Sequence, residues 1–208
     1  MYTDESLRDF AAHLASGSPV PGGGGAAAYC GAMGAALAAM VCHFTVGRPK
    51  FAAVDDEMRA LADRSDRVRE ELVTLVDEDA AAFDAYSRAT RLPRGTESEI
   101  AARFSAMQSA LVACARVPLR IASRAAEVLD LCRPIGERGN PRLVSDAAVA
   151  ALFSEAAMRA AILNVRVNLL SIKDSSTRGE LQAAISRLEA SAGGRLGRVM
   201  AAVEARLE

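Results

Sequence analysis

The chain carries no Asp, Glu, Lys or Arg between Asp9 and Arg48, although charged residues make up 25% of the whole. An uncharged stretch of that length has two stable destinations, a lipid bilayer or the interior of a folded protein. Its second half, Ala26 to Val46, is long enough to span a bilayer. It is built mostly of Ala, Gly and Met with His43 inside, and Ala contributes little insertion energy compared with Leu or Ile. No polybasic flank orients it. The expectation is therefore no membrane span, but a central helix buried in a bundle or at a subunit contact.

Composition narrows the class further. Ala supplies 44 of 208 residues, and Ala is both the best helix former and a small side chain that lets backbones approach closely. No alternating strand pattern bounded by turns is evident, so the expected fold class is all-α. Lys+Arg 25 nearly cancels Asp+Glu 26, there is no Trp, and Tyr 3 and Phe 6 are few. That balance argues against a nucleic-acid partner, which needs positive charge and stacking rings. The start of the chain has no basic segment leading into an apolar run, so a cytoplasmic location is expected. Cys30, Cys42, Cys114 and Cys132 form no C-x-x-C pair and read as buried free thiols. With only His13 and His43 available, no metal site is expected.

Punctuation divides the chain into a single domain over 1–208, a long-helix bundle of about five to six helices. The first is expected from Thr3 to Ala15, followed by an irregular loop from Ser16 to Gly25. The second runs from Gly24 to Val46, and the third from Ala52 to Arg91. The fourth runs from Thr96 to Cys132, kinked at Pro118 and followed by a turn-rich loop from Pro134 to Pro141. The fifth covers Ser145 to Lys173, and the sixth Thr177 to Leu207. The longer of these reach roughly 35–55 Å, more than a compact globule of this size needs. Such helices with Ala-rich faces point to a homodimer, most simply with two-fold symmetry.

Helical periodicity singles out one acid. The apolar stripe of the third helix reads Val68, Leu72, Val76, then Phe83 and Tyr86, and the position completing the rhythm is Asp79. An ionised carboxylate on such a stripe is costly unless it is paired or protonated. Asp79 is either a core carboxylate bonded to an Arg or a backbone amide, or a desolvated general acid/base. Asp77 and Glu78 rotate away and read as ordinary surface acids. Pro21, Gly22, Gly23, Gly24 and Gly25 open the second helix, so its free amides and dipole face whatever lies above. The run is neither a Walker loop nor a dinucleotide loop. It is a sharp turn or a place where a flat ligand meets bare backbone. Asn164 and Asn168 lie four apart on an apolar face of the fifth helix, suited to a buried polar network, a subunit contact or a ligand. Asp146 is a favourable charge at that helix's start. The only two lysines are Lys50 and Lys173.

Together these segments resemble a known family. The string ASGSPVPGGGGAAAYCGAMGAALAAMV resembles the opening of the cyclodeaminase/cyclohydrolase domain of folate metabolism, found fused in formimidoyltransferase-cyclodeaminase and alone in bacteria. The likeness continues through VGRPKF, LVDEDAAAFDAY, RLPRGT, VPL, the GN and SD pairs and NVRVNL, in order and over essentially the whole chain. The resemblance implies an all-α homodimer, tetrahydrofolate derivatives as substrate, no metal or redox cofactor, and a formimidoyltransferase domain or partner. It implies cyclodeaminase activity (ammonia loss from 5-formimidoyltetrahydrofolate) or hydrolysis of 5,10-methenyltetrahydrofolate. It points to Asp79 as the catalytic acid/base. Pro21, Gly22, Gly23, Gly24, Asn164 and Asn168 would orient the substrate, Arg48 or Lys50 would meet its carboxylate tail, and Asn140 and Asp146, in the GN and SD pairs, would also bind the substrate. Family loops usually place Ser where this chain has Gly25, a hydroxyl that could cap the helix or touch the ligand. A non-catalytic bundle that binds folate or scaffolds a partner is the alternative class.

Overall fold

In the computed structural model, which describes residues 1–206 apart from the side chains at 191–193, every regular element is helical. The long elements are α1 (Leu7–Leu14), α2 (Gly23–His43), α3 (Asp55–Thr90), α4 (Glu97–Arg138), α5 (Val144–Leu169) and α6 (Ser175–Glu204). Short 3-10 turns at Tyr2–Asp4, Pro49–Val54 and Pro141–Leu143 precede α1, α3 and α5. The first expected helix is thus a turn and a short helix, and the third begins only after Pro49–Val54. The expected end of the last helix at Leu207 lies outside the described residues.

The second half of the uncharged segment becomes α2, packed against α3, α4 and α5 at the centre of the bundle, while residues 11–19 of its first half are exposed. The segments Gly23–His43 and Pro141–Leu169 are long and apolar enough to cross a bilayer, and more than half of each apolar window is buried inside the bundle. Glycines let α2 come close to its neighbours. A methyl added at Gly31 would meet Leu72 of α3 at 3.3 Å and Ala157 of α5 at 3.4 Å. One added at Gly34 would stand 2.6 Å from Ser154 Oγ and 3.0 Å from the Ala150 carbonyl oxygen. Gly34→Ala therefore forces α2 and α5 apart and costs about 1–3 kcal/mol, measurable as a lowered denaturation midpoint at unchanged slope.

Two boundaries differ from expectation for identifiable reasons. Helix α4 does not stop at Cys132 but continues through Pro134 to Arg138. Proline deprives only the Asp130 carbonyl of its partner, and Asp130 is exposed while Ile135 and Gly136 beyond it are buried. Core burial thus outweighs the missing bond. Helix α5 ends at Leu169 rather than Lys173. There Gln108 of α4 takes over the turn, donating from Nε2 to the Ser171 carbonyl at 3.2 Å and accepting the Lys173 N–H at 2.8 Å.

Helix α5 leaves one apolar face uncovered. Val149, Leu152, Leu163, Val167 and Leu170 are exposed along it, Leu163 at 59%. All four cysteines are free. Burial pushes the Cys42 thiol up to about 12, as inert core thiols require.

Candidate active site

Three consecutive acids on α3 point three ways, because successive helical residues turn by about 100°. Asp77 accepts the Tyr2 N–H at 2.7 Å and the Thr3 hydroxyl at 2.6 Å. Glu78 pairs with Arg120 of α4. Asp79 faces the start of α2. Asp77 is therefore not the ordinary surface acid its spacing suggested: it ties the chain's beginning to α3.

Helix α2 starts at an N-cap, Gly22, that has no side chain to satisfy the first-turn amides. Asp79 supplies the acceptor from across the bundle, taking the Gly25 N–H. The approach is close. A methyl added at Gly24 would stand within 2.5 Å of Asp79 Cγ and Oδ2, so only glycine lets the helix rest on the carboxyl group. Burial raises the Asp79 pKa above its ordinary value, and the Gly25 amide opposes that rise only in part. Asp79 is thus both a carboxyl bonded to a backbone amide and a desolvated group with a raised pKa.

A second helix irregularity supplies the opposite wall. Pro118 lacks the N–H that would bond the Cys114 carbonyl four residues earlier. Asn168 Nδ2 fills that gap, donating to the Cys114 carbonyl at 2.9 Å and to the Asn164 carbonyl at 2.9 Å. Asn164 Nδ2 donates to the Ala160 carbonyl at 3.0 Å. With both amide nitrogens committed to carbonyls, each side chain retains its Oδ1 as an acceptor. The pair can therefore receive N–H donors of a ligand.

Gly22, Gly23, Gly24, Asp79, Asn164 and Asn168 line one cavity of about 220 Å³. Pro19, Val20, Phe83, Cys114 and Pro118 complete it. Sequence reasoning did not assign those five to the site, although Phe83 lies in the stripe and Pro118 in the helix-breaking position that flagged them. Pro21 is buried beneath the glycine run rather than on the cavity wall. A side chain at position 25 would point to Pro21 and Val76, 3.7 Å away, so a serine hydroxyl there fits without entering the cavity wall. Among the described residues, no cluster of three or more His, Cys, Asp or Glu is placed to hold a metal ion.

The remaining candidates gather at the other end of α2, about 30 Å away at 1.5 Å per residue. Arg48 stacks over Phe44 at 5.7 Å and Lys50 over Phe51 at 4.5 Å. Asn140 is consumed by local structure: its N–H donates to Thr45 Oγ1 at 2.9 Å and its Nδ2 to the Phe44 carbonyl at 3.2 Å. Asp146 lies in the first turn of α5, where its charge suits the helix dipole. Within this chain these four do not reach the Asp79 cavity.

The formiminotransferase-cyclodeaminase family model matches residues 6–187, which contain every element of this cavity. The chain belongs to the formiminotransferase-cyclodeaminase family. It is 39% identical over 207 residues to the methenyltetrahydrofolate cyclohydrolase of Methylorubrum extorquens, covering 100% of both chains. It is 36% identical over 205 residues to the formimidoyltransferase-cyclodeaminase of Rattus norvegicus, covering 99% of this chain and 38% of the rat protein. In the fused animal members of the family, this chain therefore corresponds to one part of a longer protein. The crystal structure of formiminotetrahydrofolate cyclodeaminase from Thermotoga maritima superposes with a TM-score of 0.89 at 28% identity, covering 100% of both chains. The helical bundle is thus the fold of the family.

Proposed function

We propose that this protein is a folate one-carbon enzyme in which Asp79 moves the proton. It would convert 5-formimidoyltetrahydrofolate to 5,10-methenyltetrahydrofolate with ammonia release, hydrolyse 5,10-methenyltetrahydrofolate to 10-formyltetrahydrofolate, or both. The observation that carries this reading is a half-buried carboxyl with a raised pKa, held by the first turn of α2 across a cavity from two amide oxygens. The relatives of matching length include a cyclohydrolase and a cyclodeaminase, and both reactions need one proton carrier at nitrogen.

In the cyclodeaminase direction N10 attacks the formimidoyl carbon, and the Asp79 carboxylate takes the N10 proton and passes it to the former imino nitrogen. A second proton from solvent lets that nitrogen leave as ammonia as the methenyl cation forms. In the cyclohydrolase direction water adds to the methenyl carbon while the Asp79 carboxylate accepts a proton. The same proton then passes to N5 as its bond to the one-carbon unit breaks, and the hydroxyl proton left on the one-carbon unit is lost to solvent as the formyl C=O forms. Neither sequence changes an oxidation state, so neither calls for a redox cofactor. The Asn164 and Asn168 oxygens suit the N–H edge of a pterin. The test is a parallel assay of both folates, following the methenyl chromophore; turnover of neither would overturn the reading.

A cavity of about 220 Å³ is smaller than the roughly 300–1,000 Å³ of sites that enclose drug-sized ligands. A folate's tail must continue over the surface. The uncovered face of α5 suits a second copy of this chain, because its apolar stripe runs the length of the helix with few charges. A two-fold axis crossing α5 near its middle sets the Arg48 and Lys50 end of one protomer beside the glycine end of the other. That places two cations where an anionic tail emerges. Leu163→Glu is expected to convert a dimer to monomers in sedimentation equilibrium and to raise KM more than tenfold. A monomeric wild-type protein would overturn the dimer.

A further inference from the structure

We infer that Tyr2, Thr3 and Asp77 form a clasp that positions the glycine loop over the Asp79 cavity and so sets folate affinity; this rests on the folate reading above. The segment between α1 and α2 is held to the bundle at few points. No residue of α1 is buried, and residues 11–19 are exposed throughout. Hydrogen bonds at Ser16 and Ser18 stay within the segment: Ser16 Oγ donates to the His13 carbonyl at 2.7 Å and accepts the Ser18 N–H at 3.1 Å. Yet Pro19 and Val20 of this same segment form part of the cavity wall. Something must hold them there.

The beginning of the chain does so. The Tyr2 hydroxyl donates to the Val20 carbonyl at 3.2 Å, reaching across 18 residues. Tyr2 is itself fixed from behind: its N–H donates to Asp77 Oδ1 at 2.7 Å, while the Thr3 hydroxyl donates to Oδ2 at 2.6 Å. Each carboxylate oxygen thus takes one donor, an arrangement of two charge-assisted bonds that fixes direction as well as distance. Asp77 and Asp79 sit two residues apart on one rigid helix, facing opposite sides. The loop that covers the acid is therefore referenced, through Tyr2, to the same backbone that carries the acid. Tyr2, Thr3 and Asp77 do not line the cavity. They are positioning residues, and their effect is transmitted through Val20.

This arrangement predicts a split between binding and chemistry. Tyr2→Phe removes only the hydroxyl and should raise KM for the folate about 2–10-fold, the loss expected for one neutral hydrogen bond. kcat and its pH dependence should stay within twofold of wild type, because Asp79 and its Gly25 partner are untouched. Asp77→Ala should raise KM further, and Asp77→Asn should lie between them. Adding Tyr2→Phe to Asp77→Ala should change little, because the hydroxyl is already unanchored. In the protein without ligand, Tyr2→Phe, Asp77→Asn and Asp77→Ala should each speed exchange of the Ala26 amide, which donates to the Gly22 carbonyl at 3.0 Å, by about tenfold, leaving α3 and α4 protected as in wild type. Ala26 exchange equal to wild type would overturn the clasp, whether or not either folate is turned over. Faster Ala26 exchange with unchanged KM would overturn its role in affinity. Wild-type turnover in the same assay separately tests the folate reading.

Discussion

Asp79→Asn should abolish most turnover of both folates, by about 10²–10⁴-fold, the usual contribution of a positioned acid/base. The protein should remain folded and should melt at a higher temperature at pH above the raised Asp79 pKa. The two halves of that outcome share one cause. Burial raises the Asp79 pKa above its ordinary value of 3.8, so the folded protein holds this proton more tightly than the unfolded chain does. The stability that comes from binding the proton is fully present below the unfolded pKa and is lost as pH rises through the raised folded value. Above it the wild-type protein carries a desolvated negative charge. The amide of the variant is neutral at every pH, keeps an oxygen to accept the Gly25 N–H, and removes that charge. Its melting temperature should therefore exceed that of wild type above the raised pKa, and the gap should close in acid. Calorimetry across the pH range, alongside steady-state kinetics, reads both effects. Unchanged turnover would remove Asp79 from the mechanism.

Gly24→Ala should be nearly as damaging by a different route. Its methyl group would fall within 2.5 Å of Asp79 Cγ and Oδ2, a separation no relaxed contact allows, so either the start of α2 or the carboxyl must move. Overpacking of this kind costs about 1–3 kcal/mol in stability. Displacement of a reacting group by about 1 Å can cost on the order of 100-fold in rate. The neighbouring glycines provide the control. At Gly23 the nearest atom to an added methyl is Asn164 Nδ2 at 3.6 Å, and at Gly25 the nearest atoms are 3.7 Å away. Alanine at either position should leave the fold intact, with activity changed far less than at Gly24. Equal losses at Gly23, Gly24 and Gly25 would show that the loop acts through backbone freedom rather than through its fit to Asp79.

The polar exceptions on apolar helix faces were the legible part of the site. Asp79, Asn164 and Asn168 stand out because their neighbours at helical spacing are Val, Leu, Phe and Ala. Asp77 could not be read in the same way. Nothing in the string LVDEDAAAF distinguishes an acid that faces water from one that receives the chain's own beginning, 75 residues away. The same limit hid the pairing of Pro118 with Asn168. A proline in a helix announces an orphaned carbonyl, but the side chain that answers it comes from another helix, 54 residues from Cys114. Arg48 and Lys50 show the converse. Their motif was part of the family resemblance, yet within this chain they lie a full helix length from the acid.

What the sequence determined by itself was the helical class, the burial of the Ala-rich second half of its uncharged segment and the residues too polar for their stripe. These follow from local rules, propensity and periodicity, which act within a few turns of chain. The tertiary structure decided which exceptions meet. It set Asp79 against Gly24 because only a residue without a side chain admits the carboxyl there. It carried α4 through Pro134 because burying Ile135 outweighs one hydrogen bond lost at the exposed residue Asp130. It gave Asp77 a structural partner because a carboxylate takes the donors that folding brings to it. Such contacts join residues far apart in the chain, and their energies exist only once the helices are packed.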